Sequence, residues 1–158
     1  MRLLVDASNV LHVTGVVPPA LALSEPSELA QLILRSRYSQ ADVTLVCDGS
    51  RPGMQKLGQF GLIQLHWTGA TTADSVIEML LQKSSHARSY TVVSNDRAVQ
   101  ANARHRGASV LSSDRFLSYL ARDANRTRQT NTPLRDVHLD EETTQRWMKE
   151  LGLNEDTP

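Results

Sequence analysis

Four short segments of the chain each carry an apolar run to an acidic residue: Leu3-Leu4-Val5-Asp6, Leu45-Val46-Cys47-Asp48, Thr72-Ala73-Asp74 leading to Glu78, and Val92-Val93-Ser94-Asn95-Asp96. Short apolar runs that alternate with segments of helical period are the pattern of buried parallel strands joined by crossover helices. Such crossovers are right-handed and cover the sheet. The pattern therefore predicts an α/β fold with three α/β/α layers around a central, mainly parallel five-stranded sheet. In that architecture ligands bind beyond the carboxyl ends of the strands, and Asp6, Asp48 and Asp96 all stand where a strand hands over to a loop.

Strands are expected at residues 2–5, 43–47, 62–67, 90–93 and 108–111. Asp6-Ala7-Ser8-Asn9 reads as turn chemistry, followed by a loop with Pro18-Pro19. Ser24 or Ser27 can cap a helix that carries Leu29, Leu32, Ile33 and Leu34 and runs to about Tyr38. Residues 49–59, with Gly49, Pro52, Gly53 and Gly58, read as a loop. Thr71 or Thr72 caps a helix whose inner side is Val76, Ile77, Leu80 and Leu81. A further helix covers 97–106 and stops at Gly107. Another starts near Ser113, with Phe116, Leu117 and Leu120 as its apolar stripe. On this reading 1–122 is the domain, 123–138 a polar linker, 139–152 an amphipathic helix with Trp147 and Met148 as anchors, and 153–158 a tail.

The length of 158 residues suits one domain, and a hydrophobic content of 40% supports a buried core. Cys47 has no partner for a disulfide and reads as a small buried hydrophobe, which favours a reducing compartment. With no apolar stretch of about 18 residues and no secretion-like start, the expectation is a cytoplasmic protein away from the membrane.

A net charge of zero hides an uneven distribution. Residues 97–135 carry eight arginines against Asp114 and Asp123, while 136–158 carry seven acidic residues against Arg146 and Lys149. The basic half can track a phosphate backbone; it can equally be a solvated helical surface.

Carboxylates gathered in one pocket repel: two at about 4 Å cost roughly 4 kcal/mol at an effective dielectric near 20. A divalent cation reverses that. Oxygen ligands without a Cys/His cluster favour Mg²⁺ or Mn²⁺ over zinc, and such an ion can polarise a phosphodiester and acidify water. Asp74 and Glu78 lie four apart on one helix face. Each residue also has a plainer role. Asp96 can be a helix N-cap, Asp74 can answer a capping box begun by Thr71, and Asp48-Gly49 can be a turn pair. Asp6 is hardest to dismiss, because a buried carboxylate at a strand end is costly unless paired. The five histidines show no ligand spacing, and neither a Gly-rich phosphate loop nor a nucleophile elbow is present.

The segment Leu4-Val5-Asp6-Ala7-Ser8-Asn9-Val10 resembles the opening Asp-x-x-Asn motif of NYN domains, a branch of the PIN-like ribonucleases. Thr72-Ala73-Asp74-Ser75-Val76-Ile77-Glu78 resembles the Ala-Asp-x-x-Ile-Glu helix of that family, and Val92-Val93-Ser94-Asn95-Asp96 its Ser-x-Asp segment. Order and spacing are most similar to the bacterial YacP-like group, over about residues 2–121, and residues 123–158 fall outside what the motifs align.

The resemblance implies a PIN-like fold, metal-dependent endoribonuclease activity and, for some relatives, association with ribosomes or RNA turnover. Carried over by position, Asp6, Asp74 and Asp96 hold metal, with Asp48 less secure. Asn9 and Glu78 support them. The expected function is hydrolysis of single-stranded RNA with Mg²⁺ or Mn²⁺. Ser94, Asn95, Arg51, Lys56, Arg97 and Arg104 would hold phosphates. The alternative is a PIN-like module that binds RNA or ribosomes without catalysis.

Overall fold

The computed structural model describes residues 1–50 and 61–130. Arg51, Lys56, most of the expected 49–59 loop and the expected last helix lie outside the described residues. The fold described below is that of the compact unit Met1–Thr127.

Strand β1 (Arg2–Asp6) runs through the middle of the sheet. It is flanked by β2 (Asp42–Cys47) and β4 (Tyr90–Val93), with β3 (Ile63–Trp67) outside β2 and β5 (Ser109–Leu111) outside β4. Every pairing is parallel, and Val5 stands level with both Leu45 and Val93. The chain builds outward from β1 to β3, then returns to start again on the other side of β1. The carboxyl ends of β1 and β4 therefore flank a topological switch point, where an open α/β sheet leaves a crevice.

Alternation along the strands separates two cores. Leu3 and Val5 face α1 (Ala7–Leu11), α2 (Pro26–Leu34) and α5 (Ser113–Thr130), packing with Leu29, Ile33, Phe116, Leu117 and Leu120. Leu4, Val46 and Val92 face the opposite way, toward α3 (Ala73–Lys83) and α4 (Arg97–His105), and meet Val76, Ile77, Leu81, Val99 and Ala103. These are the three layers expected. Cys47 lies in the first core, where burial pushes its thiol up to about 12. It behaves as a hydrophobe.

Four local readings change. Asp6-Ala7-Ser8-Asn9 is not a turn: α1 begins directly after β1, with Asp6 as its N-cap accepting the Asn9 N–H at 3.0 Å. Residues that favour turns also favour caps, because both offer a short polar side chain to the backbone. The Pro18-Pro19 loop contains a 3-10 turn at Pro19–Leu21. The N-cap of α2 is Glu25 rather than a serine, the Glu28 carboxylate accepts the N–H groups of Ser24 and Glu25, and the helix ends at Leu34.

The linker expected from 123 does not begin there, since α5 continues to Thr130. Leu117, Leu120, Ala121 and Ala124 are all buried at helical spacing, a stripe masked by the polar residues around it. Asp123 also fastens α5 by accepting from the backbone N–H, Nε and Nη2 of Arg37 at 2.9–3.0 Å.

No described helix is long and apolar enough to cross a membrane. Trp67, whose place at a strand end would suit stacking on a base, packs partly buried against the first core.

Candidate functional site

Asp6 ends β1 with 4% of its surface exposed. Its Oδ1 caps α1, and its Oδ2 accepts from the hydroxyl of Ser94 at 3.3 Å. Burial pushes this carboxyl above its ordinary range. The two hydrogen bonds pull it back, and the charges of Asp74 and Asp48 push it up again.

Asp48 follows β2, and Gly49 takes a positive φ of 86°, so the turn reading holds. The Asp48 side chain does more than turn the chain: Oδ1 accepts the N–H of Ala73, the first residue of α3, at 2.9 Å. The cap of α3 itself is Thr72, whose hydroxyl accepts from Ser75 N, while the Thr71 hydroxyl turns away to the carbonyl of Thr68. Thr71 and Asp74 thus form no capping box. Asp74 is exposed on the first turn of α3, held above the ordinary carboxylate range by partial burial and by the charges of Asp96 and Asp48.

Asp96 is the N-cap of α4, the plainer of its two roles. Oδ1 accepts from Ala98 N at 2.7 Å and Val99 N at 3.1 Å. That leaves Oδ2 uncommitted.

Asp6, Asp48, Asp74 and Asp96 line one hollow of about 510 Å³, together with Ser8, Asn9 and His12, and among the described residues no lysine or arginine lines it. A pocket that raises two of its own carboxylates, first by burial and then by the charges of the neighbouring aspartates, suits an oxygen-seeking divalent cation. Among the described residues no three His, Cys, Asp or Glu side chains stand close enough to grip one ion. Mg²⁺ is commonly held by one or two carboxylates while it keeps several waters, so the donor set fits without a closed shell.

The other expected site residues divide. Asn9 borders the hollow, but its Oδ1 is occupied, accepting from Asn95 N and the Ser113 hydroxyl at 2.8 Å each. It ties α1 to the β4–α4 loop and to α5. Ser94 is fully buried and so cannot meet a phosphate directly; its hydroxyl links Asp6 to the backbone N–H of Asp96. Asn95 spends its amide on Asp114 and Ser113.

Glu78 is not in the hollow. It borders a small crevice between α3 and α4, with Asp74 at the shared rim. Arg97 is exposed on the first turn of α4. Arg104 is in the last turn, about 10 Å further along at 1.5 Å per residue. It lies toward the opposite edge of the sheet, where it bonds Gln100.

His12 was missed. Its Nδ1 lies 2.6 Å from the carbonyl of Ser8, which can only accept, so Nδ1 carries a proton and Nε2 is the ring atom free to give or take one beside the carboxylates. The signal was Asp6-x-x-Asn9-x-x-His12, a spacing of three that means one face only once α1 is known to be a helix.

The model of the YacP-like NYN domain matches residues 20–155. The chain belongs to the YacP-like NYN domain family. The crystal structure of Rae1 (YacP) from Bacillus subtilis superimposes with a TM-score of 0.63 at 22% identity, covering 97% of this chain and 90% of that one. A tryptophan-to-leucine mutant of the same protein gives 0.60 at 22%, covering 96% and 98%. No curated protein matches the chain. The PIN-like fold expected from the motifs is thus the fold this YacP-like chain has. The family match includes Asp48, Asp74, Glu78 and Asp96, begins after Asp6 and Asn9, and reaches well into the 123–158 segment that the motifs left unaligned.

Proposed function

We propose that this YacP-like NYN domain is a Mg²⁺- or Mn²⁺-dependent endoribonuclease that hydrolyses phosphodiester bonds of single-stranded RNA. The observation behind this reading is the convergence of Asp6, Asp48, Asp74 and Asp96 on one hollow at the switch point, with no cationic side chain among its described lining residues. Asp74 and the free Oδ2 of Asp96 are the carboxylate oxygens least committed to the fold, so they are the first metal ligands, with Asp6 and Asp48 beside them. A bound ion supplies Lewis acidity toward a phosphodiester oxygen and water.

The protein's own contribution is placement. Ser94 and Asn9 hold the two loops in register, and His12 offers Nε2 to a proton. Arg97 meets the strand entering along α4. Glu78 acts from the neighbouring crevice, by its charge on the rim at Asp74.

Cleavage of a labelled, unstructured RNA tests this with Mg²⁺, with Mn²⁺ and with EDTA, for the wild type and for Asp74→Asn and Asp96→Asn. Metal-dependent cutting that both variants lose is the expected result. Equal cutting by the variants overturns the proposal, because the hollow would then be idle.

One observation favours a second reading, a module that binds RNA without cutting it. Asp6, Asp48 and Asp96 are each already hydrogen-bonded, and no described trio closes on an ion. That module would bind RNA with strong salt dependence. It would show neither turnover nor a rise in melting temperature with Mn²⁺, whereas a genuine site raises it by mass action.

A further inference from the structure

At the amino edge of the sheet, α3 and α4 end beside the 3-10 turn Ala87–Ser89 and enclose a hollow of about 850 Å³. Arg88, Arg106, His86 and His105 line it among serine hydroxyls, and among the described residues no acidic side chain does. This is the reverse of the carboxyl edge, where four aspartates share a hollow without a cation among the described residues. Neither arginine here has an acidic partner among the described residues. The Nε of Arg106 is buried with no hydrogen-bond acceptor, which is uncommon for a guanidinium and leaves a donor in need of an oxygen.

Arg88 is seated by the backbone opposite. Gly107 has a φ of +83°, and a Cβ there would stand 3.1 Å from Arg88 Cγ, so the glycine lets the guanidinium arm lie across the end of α4.

The plainer reading is that these cations merely answer the carboxyl ends of two helices. Each helix end contributes roughly half a negative charge. Arg88 and Arg106 supply two full positive charges in the hollow, and Lys83 and Arg104 add two more in the last turns of α3 and α4. The excess is positive. It is also connected: Arg97 and Arg104, seven apart and both exposed, lie on one face of α4 and lead from the aspartate hollow toward this one.

We propose that the amino-edge hollow is an exosite for the phosphate backbone of RNA. It would hold the strand about 14 Å from the aspartates, the length of α4 at 1.5 Å per residue. The proposal rests on the reading of the chain as a protein that acts on RNA, but not on catalysis. Arginine is suited to it because its planar fork matches phosphate oxygens bidentately.

The test is binding of a labelled unstructured RNA to the full chain in EDTA, by fluorescence anisotropy over a range of salt, so that no cutting enters the readout. Replacing both arginines (Arg88→Gln with Arg106→Gln) should weaken binding and reduce the slope of log K against log salt by about 1.4, at about 0.7 for each phosphate of a single strand that is no longer neutralised. The double lysine variant, which keeps the charges, should recover most of the slope.

Unchanged affinity and slope in a glutamine variant that melts like the wild type overturns the proposal. So does a salt slope that lysine fails to recover, since the loss then does not follow charge. A nucleoside monophosphate that displaces the RNA at equal phosphate concentration also overturns it, because the hollow would then be a small-molecule site. RNA binding that depends on these arginines in a protein that never cuts would sink the nuclease reading and leave the exosite standing.

Discussion

Ser94 and Asp6 lie 88 residues apart in the chain and meet through one hydrogen bond, from the buried hydroxyl to Oδ2 at 3.3 Å. The same hydroxyl accepts the N–H of Asp96, so one serine sets the spacing between the ends of β1 and β4. Ser94→Ala removes a donor to a carboxylate and strands a backbone N–H. The expected cost is about 2 kcal/mol, read by urea unfolding in EDTA. Because the lost bond favoured the ionised form of Asp6, the acid limb of any metal-dependent activity should also move to higher pH. A variant as stable as the wild type would show that the hydroxyl contributes nothing to the spacing.

Asp74→Asn probes the crowding of the hollow. Asp6 and Asp74 are both held above the ordinary value of 3.8 in the folded chain. Raised carboxyls bind protons more tightly when folded than when unfolded, so their effect on stability is absent below about pH 3.8. Stability then falls as pH rises through the folded values. Removing one charge relieves Asp6 as well. Without metal, Asp74→Asn should melt higher than the wild type at pH 7 and equally at pH 3. Mn²⁺ should raise the wild type more than the variant at pH 7. A variant that melts lower at pH 7 in EDTA would mean that Asp74 serves α3 rather than the hollow.

The sheet was legible because its signal is redundant: short runs with apolar residues recur between segments of helical period, and the register follows from the alternation of Leu3, Leu4 and Val5 between two cores. The carboxylates at strand ends were legible for the same reason, since topology alone carries Asp6, Asp48 and Asp96 to one edge. What failed to show is whatever depends on short or polar helices. The five residues of α1 give no periodicity to detect, so neither the place of His12 beside the hollow nor the bonds of Asn9 to Asn95 and Ser113 showed in the sequence. The last turns of α5 are hidden because Ala121 and Ala124 are weak markers among arginines, asparagine and threonine. Spacing also placed Glu78 on the face of Asp74 without revealing that α4 closes over the next turn.

His12→Gln separates proton chemistry from metal and RNA binding. The side chain is exposed and its ring makes a single hydrogen bond, to the Ser8 carbonyl within its own helix, so glutamine should leave the melting temperature and RNA affinity nearly unchanged. If Nε2 takes or gives a proton during hydrolysis, the rate should fall by about 100-fold, the lower end of what a positioned acid or base contributes. Wild-type rates in this variant would assign the proton transfer to water or a carboxylate.

Gly107→Ala tests the local geometry at the end of α4. The backbone there has a φ of +83°, and a new methyl group would meet Arg88 Cγ at 3.1 Å. A left-handed conformation costs an L-residue about 1–2 kcal/mol, and the arginine must also move aside. Alanine should therefore lower stability by about 1.5 kcal/mol, measured by denaturant unfolding. The displaced Arg88 should lower RNA affinity in EDTA as well, while the rate of cutting at saturating RNA stays near that of the wild type. An alanine variant that lost stability and kept its RNA affinity would mean that the seat of Arg88 on this glycine matters to the fold alone.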